Sequence, residues 1–246
     1  MPESAVSRTI ACLVQSVLKE RTGNPPVVTV SWAQSIDGAI ARRGGERVIL
    51  SSPESMTLTH QLRSLHGAIL VGIGTVAADD PLLTVRLVDG PSPQPVVLDS
   101  ALRFPVSARL LSRTDSAPWI FHAAGAPAAR VRELERRGAR LFPLSAGREG
   151  LPLEEVLRIL AAQGISSLMV EGGGRVLRSF MTRGLARQAV ITVSPSTLEG
   201  IHIFEDRAPT DQSGPATAYL PGFREMSRQR SGIDTIIWGR FGSGAG

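Results

Sequence analysis

Apolar residues recur at helical spacing through Val6, Ile10, Leu13, Val14, Val17 and Leu18, so the first twenty positions predict an amphipathic helix ending before Gly23-Asn24-Pro25-Pro26. The period then changes. Val27 to Trp32 is a short apolar run that reads as a buried strand, Ser35-Ile36-Asp37-Gly38 is a turn signal, and a second short strand is expected around Ala39 to Ala41. Gly44-Gly45 closes that strand, and Val48-Ile49-Leu50 reads as the start of another. In Ser51-Ser52-Pro53-Glu54 a serine cap, a proline at the first helical position and an early acid open a helix that runs to about Leu65. Ala68 to Val71 is a short apolar strand broken at Gly72-Ile73-Gly74, and Thr75 to Asp80 reads as one helical turn stopped by Pro81. Leu82 to Arg86 then leads into a polar, proline-rich loop from Asp89 to Pro95.

From Val96 onward, strand and helix patterns alternate. Strands are expected at Val96 to Asp99, Pro118 to Phe121, Ala139 to Phe142, Ser167 to Glu171 and Ala189 to Val193; helices at Ala126 to Arg137, Leu153 to Gln163 and Arg175 to Arg183. Short buried strands between helices imply an α/β domain with a mainly parallel central sheet and helices on both faces. Gly138, Gly164 and Gly184 stand where left-handed caps would end the helices. Asp206 to Ala216 is polar and reads as mobile, and Gly222 to Gly239 can supply a final antiparallel strand pair, with Ile233 to Trp238 as its second strand. No linker-like break divides the chain, so residues 1–24 are read as a helix and linker and 25–246 as a single domain.

Composition narrows the partners. The 246 residues carry a net charge of +5, yet Lys19 is the only lysine, so arginine supplies nearly all the cations and suits bidentate phosphate and carboxylate contacts. Runs such as Arg130-Val131-Arg132-Glu133-Leu134-Glu135-Arg136-Arg137 mix both signs among few aromatics, which argues for a solvated helix face and against nucleic acid. Cys12 stands alone, so no disulfide framework or thiolate metal site is expected, and a reducing, cytoplasmic setting is. No stretch is long and apolar enough to span a bilayer, and no signal peptide is evident, so no membrane partner is expected.

Candidate chemistry gathers where strands end: Gly72-Ile73-Gly74-Thr75 with Asp79-Asp80, Asp99-Ser100, and Glu171 with Gly172-Gly173-Gly174. In an open parallel sheet such ends line the ligand crevice. Three residues without a Cβ just before a helix let backbone amides and the positive dipole end close on phosphate, although a glycine run alone also fits a flexible turn. Asp79-Asp80-Pro81 fits a capped turn equally well. Lys19 and Tyr219 are poorly placed for Schiff-base or tyrosine-lysine chemistry, and His60, His66, His122 and His202 lack metal-ligand spacing, so no metal is expected and each histidine reads as structural. A phosphate-rich ligand, arginines and a few carboxylates remain.

Taken together, Ser35-Ile36-Asp37-Gly38, the run from Leu70-Val71-Gly72-Ile73-Gly74-Thr75 through Asp79-Asp80-Pro81 to Thr84-Val85-Arg86, Val97-Leu98-Asp99-Ser100 and Met169-Val170-Glu171-Gly172-Gly173-Gly174 resemble the riboflavin-pathway pyrimidine reductases. The likeness runs in order from about Val27 to Gly200. It implies a dihydrofolate-reductase-like fold, a homodimer, and NADPH-dependent reduction of a ribosylaminopyrimidine 5′-phosphate to the ribitylamino compound, with hydride delivered to ribose C1′ after ring opening. Carried over by motif position, Thr75, Asp79, Ser100 and the run Gly173, Gly174, Arg175, Val176, Leu177, Arg178 and Ser179 would contact NADPH. Arg63, Leu83, Arg86 and Glu171 would contact the phosphorylated substrate. The reaction also needs a proton, for which a carboxyl group of raised pKa suits; Glu171 is expected to hold the ribose, with Asp79 the alternative participant. Arg175 and Arg178 could reach a ribose 2′-phosphate or simply face solvent.

The chain departs from this pattern in three places. Ile49-Leu50-Ser51-Ser52 stands where bacterial members commonly have Trp-Ile-Thr-Ser, Ser31 or Trp32 where a lysine is frequent, and Ser194-Pro195-Ser196-Thr197-Leu198-Glu199-Gly200 lacks the lysine of a late motif. Leu50-Ser51-Ser52 with His60-Gln61-Leu62-Arg63 resembles the stand-alone archaeal and fungal type that acts before deamination. A related reductase of another heterocycle and a non-catalytic nucleotide-binding protein are the competing readings.

Overall fold

The computed structural model describes residues 5–19, 25–43, 48–147, 150–204 and 222–242. Helix α1 (Ala5–Lys19) precedes β1 (Val27–Ser35), β2 (Ala39–Ala41), α2 (Pro53–Leu65), β3 (Ala68–Gly72), α3 (Ile73–Asp79), β4 (Gln94–Leu98), β5 (Trp119–Ala123) and α4 (Ala128–Arg136). Then follow β6 (Arg140–Leu144), α5 (Leu153–Ala162), β7 (Ser167–Glu171), α6 (Gly174–Thr182), β8 (Gln188–Ser194), β9 (Ile201–His202), β10 (Phe223–Ser231) and β11 (Asp234–Phe241). Nine strands form one sheet in the order β10-β11-β8-β1-β7-β3-β4-β5-β6. The pairs from β8 to β6 are parallel, while β11 runs antiparallel to β8 and pairs with β10 as the expected C-terminal hairpin.

Strand alternation sorts the core onto two faces. Val28, Val30, Leu70, Leu168 and Val170 face α5 and α6, which contribute Leu157, Leu160, Leu177 and Phe180. On the opposite face, Met169 and Val190 pack with Ile10, Val14 and Val17 of α1 and Leu58 and Leu62 of α2. Farther along that face, Ile69, Val71, Val97 and Ile120 meet Val76 of α3 and Leu134 of α4. Ile10, Val14 and Val17 of α1 are therefore spent on this domain's own core.

Local signals explain the elements. Ser52 caps α2 by accepting the Ser55 amide, with Pro53 opening the helix. Gly138, Gly164 and Gly184 all have positive φ just past helix ends. Three details differ from the sequence reading. Val48-Ile49-Leu50 joins no strand; it is a connection in which Ile49 is 71% exposed and only Leu50 is buried. The turn after Gly72 continues to two turns as α3, because Val76 is buried under it. A short 3₁₀ turn, Arg109–Ser112, interrupts a stretch that had no helical period. The polar run Asp206 to Ala216 and Gly44-Gly45 lie outside the described residues.

Candidate functional site

The carboxyl ends of β7, β3 and β4 meet at one rim of the sheet, as a parallel arrangement requires. Glu171 is the last residue of β7, in register with Ser31 of β1, and by alternation it shares Met169's face, the one that α2 covers. There Arg63, in the last turn of α2, grips it with two bonds: Nε to Oε1 at 2.8 Å and Nη2 to Oε2 at 2.6 Å. Both side chains are only 13–14% exposed. Burial opposes the Arg63 charge, but the facing carboxylate outweighs it and holds the guanidinium above its ordinary pKa. The third arm of Arg63 donates to the Thr84 carbonyl at 3.1 Å.

The segment after α3 comes to the same place. Asp80 caps α3 in a left-handed conformation and accepts the Arg109 amide at 2.8 Å, while Leu83, also at positive φ, is buried under the loop. Arg86 follows, with an exposed side chain. Partial burial and the charges of Arg63 and Arg109 hold its guanidinium below the ordinary value, with only Glu171 opposing. Such a cluster of cations favours an anion between them.

The other side of the rim is the turn from β7 into α6. Gly172 and Gly173 have φ of +72° and +69°. A Cβ on either would stand 3.1 and 3.4 Å from the Thr75 hydroxyl, so the glycines let this turn lie directly against the start of α3. The first amides of α6, at Gly174 and Arg175, have no intrahelical acceptor, and the helix dipole adds positive potential there. Val176 and Leu177 donate their amides to the Gly173 carbonyl. Leu177 is fully buried in the core, Val176 packs half-buried beside it, and Arg175 is exposed. Arg178 is half-buried, and Ser179 donates its hydroxyl to the Arg175 carbonyl. Asp79 is exposed at the end of α3.

Ser100 is exposed just beyond β4, on a loop shaped by buried Asp99, whose Oδ2 accepts the Phe104 amide at 2.7 Å. Beside the glycine turn, Asp37 accepts the amides of Leu198 and Glu199, tying the β1–β2 connection to the loop before β9. Gly200 lies so close to Ala41 that a Cβ would overlap its carbonyl.

The sequence motifs thus converge, and the structure adds a member they did not indicate. His60, one turn before Arg63 on α2, is buried, and its Nδ1 accepts the Arg86 amide at 3.0 Å. Burial, with the nearby charges of Arg63 and Arg86, lowers its pKa from 6.5 to about 4. In the sequence His60 stood within the His60-Gln61-Leu62-Arg63 run but read as structural. Among the described residues no cluster of His, Cys, Asp or Glu could hold a metal ion, and no helix is long and apolar enough to cross a membrane.

The profile of the RibD C-terminal domain matches residues 26–239. The chain belongs to the RibD C-terminal domain family. Among relatives of this family, the 2,5-diamino-6-ribosylamino-4(3H)-pyrimidinone 5′-phosphate reductase of Methanothermobacter thermautotrophicus is 38% identical over 179 residues, 71% of this chain and 80% of that protein. The riboflavin biosynthesis protein RibD of Bacillus amyloliquefaciens is 39% identical over 73% of this chain but only 48% of its own length. The chain thus spans about half the length of such bacterial RibD proteins. Of solved structures, the riboflavin biosynthesis reductase of Saccharomyces cerevisiae aligns with a TM-score of 0.71 at 24% identity, over 92% of this chain and 95% of that one. RibD of Acinetobacter baumannii aligns at 0.77 and 23%, over 94% of this chain and 62% of its own. These two structures establish the shared fold, the dihydrofolate-reductase-like architecture expected from the sequence.

Proposed function

We propose that this chain is an NADPH-dependent reductase of riboflavin biosynthesis. Its substrate would be a ribosylaminopyrimidinone 5′-phosphate and its product the ribitylamino 5′-phosphate. The observation that carries this reading is the junction of β7 and α6: an acid already gripped by an arginine directly precedes a two-glycine turn and a helix N-terminus. A carboxylate for sugar hydroxyls and a cradle for phosphate meet there at the end of one strand.

The cradle fits a dinucleotide. Gly173, Gly174 and Arg175 would hold its pyrophosphate on the first amides of α6, with Thr75 and Ser100 at the flanks, and Arg175 suits the 2′-phosphate that separates NADPH from NADH. When bound, the nicotinamide supplies the hydride that reduces C1′ of the opened ribose.

The remaining tasks fall to the chain itself. Arg63 occupies one lone pair on each Glu171 oxygen and fixes the carboxylate's plane, leaving the remaining lone pairs to accept from ribose hydroxyls. Arg86, with Arg63 behind it, takes the 5′-phosphate, and Leu83 holds the loop beneath. With both Glu171 oxygens held by Arg63 and given to the ribose, the proton that balances the hydride is assigned to Asp79, exposed at the end of α3.

Two relatives named for the diamino substrate match over 80% and 83% of their length, and the His60-Gln61-Leu62-Arg63 pattern also favours the non-deaminated compound. The same resemblance supports a cytoplasmic homodimer. The test mixes the protein with NADPH and either the diamino or the deaminated ribosylaminopyrimidine phosphate and follows nicotinamide absorbance. Oxidation faster with the diamino compound is expected; nicotinamide binding without oxidation of either substrate would favour a non-catalytic nucleotide-binding role.

A further inference from the structure

The loop that carries Arg86 is held almost entirely by side chains rather than by a strand or helix. Arg113, whose side chain is 1% exposed, donates to the carbonyls of Leu82, Leu83 and Pro93 and is itself fixed by Asp115 at 2.6 Å. Arg63 donates to Thr84, Ser92 accepts the Val85 amide at 3.0 Å, and His60 accepts the Arg86 amide at 3.0 Å. Successive residues from Leu82 to Arg86 are thus each pinned through the backbone, leaving the Arg86 side chain as the exposed end. Of these pins, His60 alone acts on Arg86 itself, and it stands on the same helix as the arginine that orients Glu171.

We propose that His60 is a positioning residue for substrate recognition. Its Nδ1 captures the Arg86 amide and thereby sets where the Arg86 guanidinium stands relative to the Arg63–Glu171 pair. One helix face would then place both halves of the substrate site, His60 the phosphate end and Arg63 the ribose end. The chemistry requires an acceptor at that atom: an imidazole with an unprotonated Nδ1 serves, an asparagine Oδ1 occupies nearly the same position, and an isosteric apolar side chain leaves the partly buried amide without this partner.

This inference rests on the assignment of Arg86 to the substrate phosphate, and the test separates the two. His60→Asn, His60→Leu and Arg86→Gln are compared by steady-state kinetics with the ribosylaminopyrimidine phosphate and by amide hydrogen exchange of the unliganded chain. His60→Leu is expected to raise the substrate KM about tenfold or more, with kcat and the nicotinamide KM nearly unchanged, and to speed exchange at the Arg86 amide. His60→Asn is expected to restore both. Unchanged Arg86 exchange in His60→Leu, or a substrate KM in His60→Asn as high as in His60→Leu, overturns the role of His60. An unchanged substrate KM in Arg86→Gln instead overturns the assignment of Arg86, and the exchange rates still judge His60. If His60→Leu loses protection throughout the sheet as well, the wild-type KM and exchange of His60→Asn decide alone.

Discussion

Arg63 and Glu171 stand 108 positions apart in the chain and share two hydrogen bonds, one from each of two guanidinium nitrogens to a different carboxylate oxygen. The relationship exists because β7 lies between β1 and β3 and ends under the last turn of α2. A planar fork meeting a planar acid fixes orientation as well as charge, which a lysine at the same place would not do.

Replacing Glu171 with Gln keeps the size but exchanges one acceptor oxygen for a donor that Arg63 cannot use. Turnover is expected to fall about a hundredfold while NADPH affinity changes only a few-fold. Single-turnover reduction alongside a fluorescence titration of the cofactor measures both, and wild-type turnover would end the assignment of Glu171.

Gly172→Ala places a Cβ 3.1 Å from the Thr75 hydroxyl at a φ of +72°. The strain is expected to cost about 1–2 kcal/mol of stability and to weaken NADPH binding more than substrate binding. Urea unfolding gives the first quantity, and a cofactor titration the second.

His66 makes stability depend on pH. Its Nδ1 donates to the Leu62 carbonyl at 2.7 Å and its Nε2 accepts from Thr29 at 2.8 Å, so both nitrogens are used by the neutral ring. Burial lowers its pKa from 6.5 to about 4, against smaller opposing contributions from the Leu62 carbonyl and Glu171. Between these values the unfolded chain binds a proton that the folded chain refuses. Stability contributed by the neutral ring is therefore present above pH 6.5 and is lost as pH falls toward 4, by up to about 3 kcal/mol. His60 acts in the same direction. Urea unfolding across that range should show the slope, and His66→Gln should reduce it.

Arg175, exposed in the first turn of α6, is the candidate for telling NADPH from NADH. Arg175→Gln is expected to raise the KM for NADPH about tenfold and leave that for NADH nearly unchanged. An equal loss for both cofactors would place the side chain on the shared pyrophosphate, and no effect on either would assign it to solvent.

Local rules made much of this protein legible from its residues. Ser52-Pro53-Glu54 opens α2 because the cap and the fixed proline φ are properties of adjacent residues, and Gly138, Gly164 and Gly184 end helices for the same kind of reason. The alternation of short apolar strands with amphipathic helices required a covered parallel sheet, and the rim position of Gly172-Gly173 followed from a strand leading into a helix. Val48-Ile49-Leu50 misled because three apolar residues in a row look alike in a strand and in a connection that buries only the last of them.

Tertiary structure alone decided which strand ends became neighbours. Strand order is set by how all the helices cover the two faces, so no local pattern could bring Arg63 to Glu171 or His60 to the Arg86 amide. The sequence by itself determined the parts of the site: an acid, a glycine turn, arginines for phosphate. Their mutual distances, and the buried imidazole that holds one of those arginines, arise from side chains meeting across the packed sheet, because hydrogen bonds between distant residues form only once burial has fixed both partners.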